Sequence, residues 1–225
     1  MIKYKLSPSS LNLMEDCPYC FWLQIVKGEK RPYGPFPSLP NGMDRVLKEH
    51  FDRFMRRGEL PPELREEKCM EGYRLFDDEE KLRVWRDNFR GLEYFDEESG
   101  VLLHGAVDNI LVKDGKLVVL DYKTRGYPLR ENSHEHYITQ MDIYNFLLQK
   151  NGYPTEDFSF LLFYYPNRVT ETGEVIFDTR LVKVKTDSGR GERVFRKALR
   201  ILESEEPPKP DARCEFCKLR GKRYV

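Results

Sequence analysis

Residues 104–124 read His-Gly-Ala-Val-Asp-Asn-Ile-Leu-Val-Lys-Asp-Gly-Lys-Leu-Val-Val-Leu-Asp-Tyr-Lys-Thr. Two runs rich in Val, Ile and Leu flank Asp114-Gly115. That dipeptide between apolar runs signals a β-hairpin, because Asp and Gly tolerate the positive φ of a type I′ turn. A two-residue turn puts Lys113 opposite Lys116, and the same register puts Asp108 opposite Asp121. Facing carboxylates repel across a ladder, so the pair predicts either a solvent edge or a cation between them. Lys123 lies two residues beyond Asp121 and shares its face by strand alternation. The hairpin thus predicts one patch that holds Asp108, Asp121 and Lys123.

The chemistry of that patch follows from its residue types. Hard divalent cations take oxygen ligands, and Mg²⁺ is commonly held by one or two carboxylates with waters and substrate phosphate. Asp108 and Asp121 can hold Mg²⁺ or Mn²⁺, and the Tyr122 backbone carbonyl can add a ligand. Lys123 can meet a water or a phosphate as a point charge. An Asp-x-Lys triplet is common on solvated strands by chance; the opposing Asp108 and the apolar Val118-Val119-Leu120 run give this one its weight. His104, four residues before Asp108, falls on the same strand face by parity and could serve the same site.

The rest of the chain supplies elements around the hairpin. Apolar residues at helical spacing predict helices over 43–57, 79–92, 134–150 and 191–203, and residues 62–70 are a shorter candidate. A helix over 7–26 is capped by Ser7 or Ser9 and should bend at Pro18. Residues 28–42, rich in Gly and Pro up to Gly42, predict a loop. Phe158–Tyr165 is a near-continuous apolar run, expected to be a strand covered on both faces. A further strand is expected over 175–186. The order predicts an α/β fold, with a central mixed sheet flanked by helices and the hairpin near its centre. A single domain is expected over 1–225, with its core at about 43–203 and the segments 1–42 and 204–225 packed together.

The 225 residues are 40% apolar and carry equal numbers of acidic and basic side chains, so the net charge is zero. A general basic coat for nucleic acid is absent, and contact with phosphates would fall to local groups such as Arg125 and Arg130. The tail residues Lys218, Arg220, Lys222 and Arg223 are a weaker basic cluster. No apolar run is long enough for a transmembrane helix, and the N-terminus lacks the apolar segment of a signal peptide. A cytoplasmic protein with no membrane contact is expected. Four of the five cysteines form the pairs Cys17-Pro-Tyr-Cys20 and Cys214-Glu-Phe-Cys217. Disulfides are disfavoured in that compartment. If the pairs meet in space they can close a four-thiolate site for Zn²⁺ or an iron–sulfur cluster.

Taken together, Gly105-x-x-Asp108 followed by Asp121-Tyr122-Lys123 resembles the core of the PD-(D/E)XK nuclease superfamily. Gln140-Met-Asp-Ile-Tyr144 is similar to the Gln-x-x-x-Tyr motif of its RecB-like exonuclease branch, which includes iron–sulfur CRISPR-associated exonucleases. Both cysteine segments resemble that branch as well. The resemblance implies a restriction-endonuclease-like core and a metal-dependent DNA nuclease, with Asp108 and Asp121 as metal ligands and Lys123 as the catalytic lysine. Gln140 and Tyr144 would orient DNA or the metal site. The four cysteines would hold a [4Fe–4S] cluster or Zn²⁺. The branch often draws one more ligand from an N-terminal helix, and Glu49 and His50 are the candidates there. Implied partners are single-stranded DNA or duplex ends. Two other readings remain: a non-catalytic nucleic-acid-binding module on the same fold, and a small-molecule enzyme using the carboxylates for acid–base work.

Overall fold

The computed structural model describes residues 1–32, 34 and 37–221. Pro35 of the expected loop, and Lys222 and Arg223 of the basic tail, lie outside the described residues.

In chain order the elements are β1 (Tyr4–Leu6), α1 (Pro8–Asp16), α2 (Pro18–Val26), α3 (Ser38–Met55), α4 (Pro62–Arg65), β2 (Arg74–Leu75), α5 (Glu79–Trp85), β3 (Leu92–Asp96) and β4 (Val101–Gly105). Then come β5 (Asn109–Lys113), β6 (Lys116–Thr124), α6 (Ile138–Lys150), β7 (Phe158–Val169), β8 (Val175–Lys185), α7 (Ser188–Glu203) and α8 (Glu215–Gly221). The main sheet has the order β2-β5-β6-β7-β8. Its β6–β7 pair is parallel and its other pairs are antiparallel. It is therefore mixed, with β6 at its centre.

The hairpin forms in the expected register. Lys113 pairs with Lys116 and Asn109 with Leu120. Asp114 and Gly115 take φ of 50° and 77°, the left-handed pair that a type I′ turn needs. One expectation fails. The first run is not a single strand, because the chain leaves one sheet after Gly105 and enters another at Asn109. β4 belongs to a separate three-stranded sheet of order β1-β4-β3. The parity that tied His104 to Asp108 is lost at that break.

Two apolar cores cover the main sheet, one on each face. Ile110, Val119, Leu161 and Phe163 face Met141, Tyr144 and Leu147 of α6, together with Phe195 of α7 and Leu11 of α1. Leu111, Val118, Leu120, Tyr122, Phe160 and Leu162 face Leu47, Phe51 and Met55 of α3. Burial on both sides explains the unbroken apolar run of β7.

Several boundaries differ from their sequence expectations. The 7–26 segment breaks at Cys17, as Pro18 requires. α3 begins at Ser38 inside the expected loop, since Pro40 falls in the first turn, where a missing N–H costs nothing. The 62–70 segment divides into α4 and a 3-10 turn at Lys68–Met70. The 79–92 helix stops at Trp85. The Asp87 carboxylate accepts the Phe89 and Arg90 N–H groups, Gly91 takes φ of 68°, and Leu92 opens β3. The 134–150 helix starts at Ile138 after a 3-10 turn.

Candidate active site

The site lies where β5 begins and β6 ends. Asp121 and Lys123 alternate with apolar Val119 on the α6 face of the sheet. Their side chains form an ion pair, with Lys123 Nζ 2.5 Å from Asp121 Oδ2. Asp108 stands just outside β5, and its Oδ2 accepts the Tyr122 N–H at 2.9 Å. The N–H and C=O of a strand residue point the same way, so the Tyr122 carbonyl also faces the start of β5, on the Asp108 side.

A hydrogen-bond chain fixes the lysine. Lys123 Nζ donates to Gln140 Oε1 at 3.1 Å. Gln140 Nε2 donates to the Tyr144 hydroxyl at 2.8 Å, and that hydroxyl donates to the Ala106 carbonyl at 2.6 Å. Gln140 and Tyr144 are four residues apart on α6, hence on one helix face. An ammonium can only donate, so the Gln140 oxygen must face Lys123 and the amide nitrogen must face Tyr144. Lys123 also lies over the Tyr137 ring, 4.5 Å from its centroid.

α3 adds two residues that the sequence reading missed. Lys48 Nζ sits 3.2 Å from Asp108 Oδ1 and 2.8 Å from Asp44. Leu47, Phe51 and Met55 bury α3 against the sheet, with Phe51 and Tyr122 ring centroids 4.6 Å apart. That packing presents the Asp44/Lys48 edge to the start of β5. The available signal was two charges four apart that flank the apolar stripe at Leu47. The expected α3 candidates point elsewhere. Glu49 pairs with Arg45 at 2.9 Å, and His50 pairs with Glu63 at 3.0 Å. His104 sits on β4 opposite Glu93, and the charges acting on it are Lys5 and Glu93. The structure does not bring it to the aspartates.

Burial sets the electrostatics. It pushes the Asp121 carboxyl up to about 7, against the pull of Lys123 and with the repulsion of Asp108. It also raises Asp108, which Lys48 opposes. Burial works against both lysines, but Asp121 outweighs it at Lys123, and Asp108 with Asp44 at Lys48, so both stay ammonium ions. Burial holds the Tyr144 phenol far above its ordinary value, so it remains a donor.

A family model described as the PD-(D/E)XK nuclease superfamily matches residues 5–221. The chain belongs to the PD-(D/E)XK nuclease superfamily. No curated protein matches it at a significant level. No described helix is long and apolar enough to cross a membrane.

PD-(D/E)XK nucleases use divalent metals, and the residues here suit one. Asp121 Oδ2 is buried and meets the Lys123 ammonium as an ion pair without a well-aligned hydrogen bond. A carboxylate in such a place is costly unless cationic groups offset its charge. Once Asp121 is ionised, three carboxylates (Asp44, Asp108 and Asp121) face two ammonium groups, which leaves a net negative charge for a cation.

This nuclease-superfamily site should make cation-free stability pH-dependent. The ordinary Asp value is 3.8, and the folded value for Asp121 is about 7. The fold therefore holds a proton that the unfolded chain has released between those values. The resulting stability is complete below the unfolded value and is lost as pH rises through about 7, a change of order 4 kcal/mol at most. The melting temperature in chelator is expected to fall between about pH 5.5 and pH 8. Asp121→Asn should flatten that fall, and Mg²⁺ should reverse it at the upper end. An identical pH slope in wild-type and Asp121→Asn protein would show that Asp121 is not the group responsible.

The four paired cysteines meet across the fold. The Sγ atoms of Cys17, Cys20, Cys214 and Cys217 all lie within 4.8 Å of one another. Cys69 is exposed and apart from them.

Proposed function

We propose that the chain is a Mg²⁺- or Mn²⁺-dependent deoxyribonuclease of the RecB-like exonuclease branch, acting on single-stranded DNA or duplex ends. The observation that carries this reading is the convergence of Asp108, Asp121 and Lys123 on one face, with the Asp121 carboxylate almost fully buried. A divalent cation bound by Asp108, Asp121 and the Tyr122 carbonyl would supply a nucleophilic water at neutral pH and offset charge on the phosphate.

The chain's own groups provide orientation and charge. Asp108 is aimed by the Tyr122 N–H on one oxygen and by Lys48 on the other. Lys123, as an ammonium, donates to a water or a phosphate oxygen rather than abstracting a proton. Gln140 and Tyr144 hold it there through the Ala106 carbonyl. These contacts of the Gln-x-x-x-Tyr pair support the RecB-like branch. Arg125 follows the end of β6 and Arg130 lies in the next loop, where DNA phosphates would approach.

The test is cleavage of linear and circular DNA, single- and double-stranded, with Mg²⁺, Mn²⁺ or EDTA. Cleavage is expected to need the cation and a free end, and to vanish in Asp121→Ala. Equal degradation by wild-type and Asp121→Ala protein would end the proposal. Salt-sensitive DNA binding with no cleavage in any cation would favour a binding module instead.

A further inference from the structure

The Cys17-x-x-Cys20 and Cys214-x-x-Cys217 pairs share one local design. Cys17 immediately precedes α2 and Cys20 lies in its first turn. Cys214 immediately precedes α8 and Cys217 lies in its first turn. Each four-residue span turns both sulfurs to the same side, and the two spans face each other.

The sulfur spacing is short. Cys17 and Cys217 are 3.6 Å apart, Cys20 and Cys214 are 3.7 Å apart, and Cys20 and Cys217 are 3.8 Å apart. No pair exceeds 4.8 Å. A tetrahedral ion with bonds of ~2.3 Å separates its four sulfurs by about 3.8 Å. A four-iron cube places each thiolate on a different iron and separates the sulfurs by roughly 6 Å. A two-iron cluster would leave its two thiolate pairs similarly far apart. The cluster suggested by resemblance therefore does not fit this cage, whereas a single ion does.

We infer that the four thiolates hold one tetrahedral metal ion of the Zn²⁺ class, which joins the N-terminal helices to the C-terminal segment. Arg31 belongs to the same centre. Its guanidinium donates to Cys214 Sγ at 3.3 Å, pairs with Asp16 at 2.5 Å and stacks on the Phe216 ring with its carbon 4.5 Å from the centroid. Four thiolates around a divalent ion carry two net negative charges. A cation fixed against one sulfur offsets part of that charge and orients the ligand. The inference is independent of the nuclease reading, since it concerns other residues and other chemistry.

The experiment is metal and inorganic-sulfide analysis of the full chain, purified without oxygen from cells supplied with both zinc and iron. One zinc per chain and no sulfide is the expected result. Replacement by Co²⁺ should then give the visible spectrum of a tetrahedral tetrathiolate. Arg31→Met should weaken retention against a chelator by about 10–100-fold, while the exposed Arg213→Met should not. Iron with two or four sulfides per chain would overturn the inference. So would native protein with no metal and four freely titrating thiols.

Discussion

Lys123→Met is expected to cut cation-dependent cleavage by about 10²–10³-fold while leaving cation binding in place. Methionine keeps the length and apolar stem of the side chain and removes only the ammonium. In the structure that ammonium lies between the Asp121 carboxylate and the Gln140 carbonyl. Its loss takes a positive charge away from the aspartates, so a divalent cation should bind as tightly as in wild type, or more so. Breaking a buried ion pair ordinarily costs about 3–5 kcal/mol. Here the cost is softened, because Asp121 already sits at about 7 and can take up a proton. Asp121→Ala should do the reverse and weaken cation binding itself. Calorimetric titration with Mn²⁺ beside single-turnover cleavage separates the two effects. Wild-type cleavage by Lys123→Met protein would remove this lysine from the chemistry.

Gly105→Ala should damage the same site from behind. A Cβ at Gly105 would stand 2.8 Å from Tyr144 Cε1 and 3.0 Å from Leu147 Cδ1. Both side chains are buried, Tyr144 with 4% of its surface exposed and Leu147 with none, so neither has room to retreat. Overpacking of this kind costs about 1–3 kcal/mol, or a melting-temperature drop of roughly 2–4 °C per kcal/mol for a chain of this size. The functional loss should exceed the loss of stability. If the Tyr144 ring moves, its hydroxyl leaves the Ala106 carbonyl, Gln140 loses an acceptor and Lys123 loses its anchor. A displacement of about 1 Å in a reacting group can cost 10²-fold. Adding Tyr144→Ala should relieve the crowding, so the double variant should be more stable than the sum of the singles predicts. Strict additivity would mean that Gly105 and Tyr144 do not meet as described. The Gly of the Gly-x-x-Asp pattern thus has a specific role: it lets α6 approach β4 closely.

Where the sequence carried the information locally, it could be read. Asp114-Gly115 set the hairpin register because only left-handed backbone closes so short a turn. From that register, alternation put Asp121 and Lys123 on one face. The four-residue spacing of Gln140 and Tyr144 put both on one side of α6. The illegible parts depended on distant pairing. β1 and β4 are parallel partners almost a hundred residues apart, and each is short enough to look like loop. Nothing in Gly105-Ala-Val-Asp108 announces that the chain changes sheets there, so His104 was carried into the wrong strand. Asp44 and Lys48 look like an ordinary solvated pair until α3 docks beside β5. The cysteine spacings were plain, but the meeting of residues some two hundred positions apart was not.

The two cores on either side of the main sheet have a mechanical consequence. α3 is bolted to one face through Phe51 and Tyr122, and α6 to the other through Tyr144 and Leu147. Each helix is stiff relative to its own face. At the mouth of the site two polar contacts tie α3 to the start of β5: the Lys48–Asp108 ion pair, and Arg86, which pairs with Asp52 of α3 and donates to the Asp108 carbonyl at 2.7 Å; such contacts have little shear resistance compared with interdigitated side chains. The opening between Asp44 and Asp108 is therefore a compliant coordinate of an otherwise rigid molecule. A polymer that widens or narrows it deforms these polar contacts, while both cores stay intact.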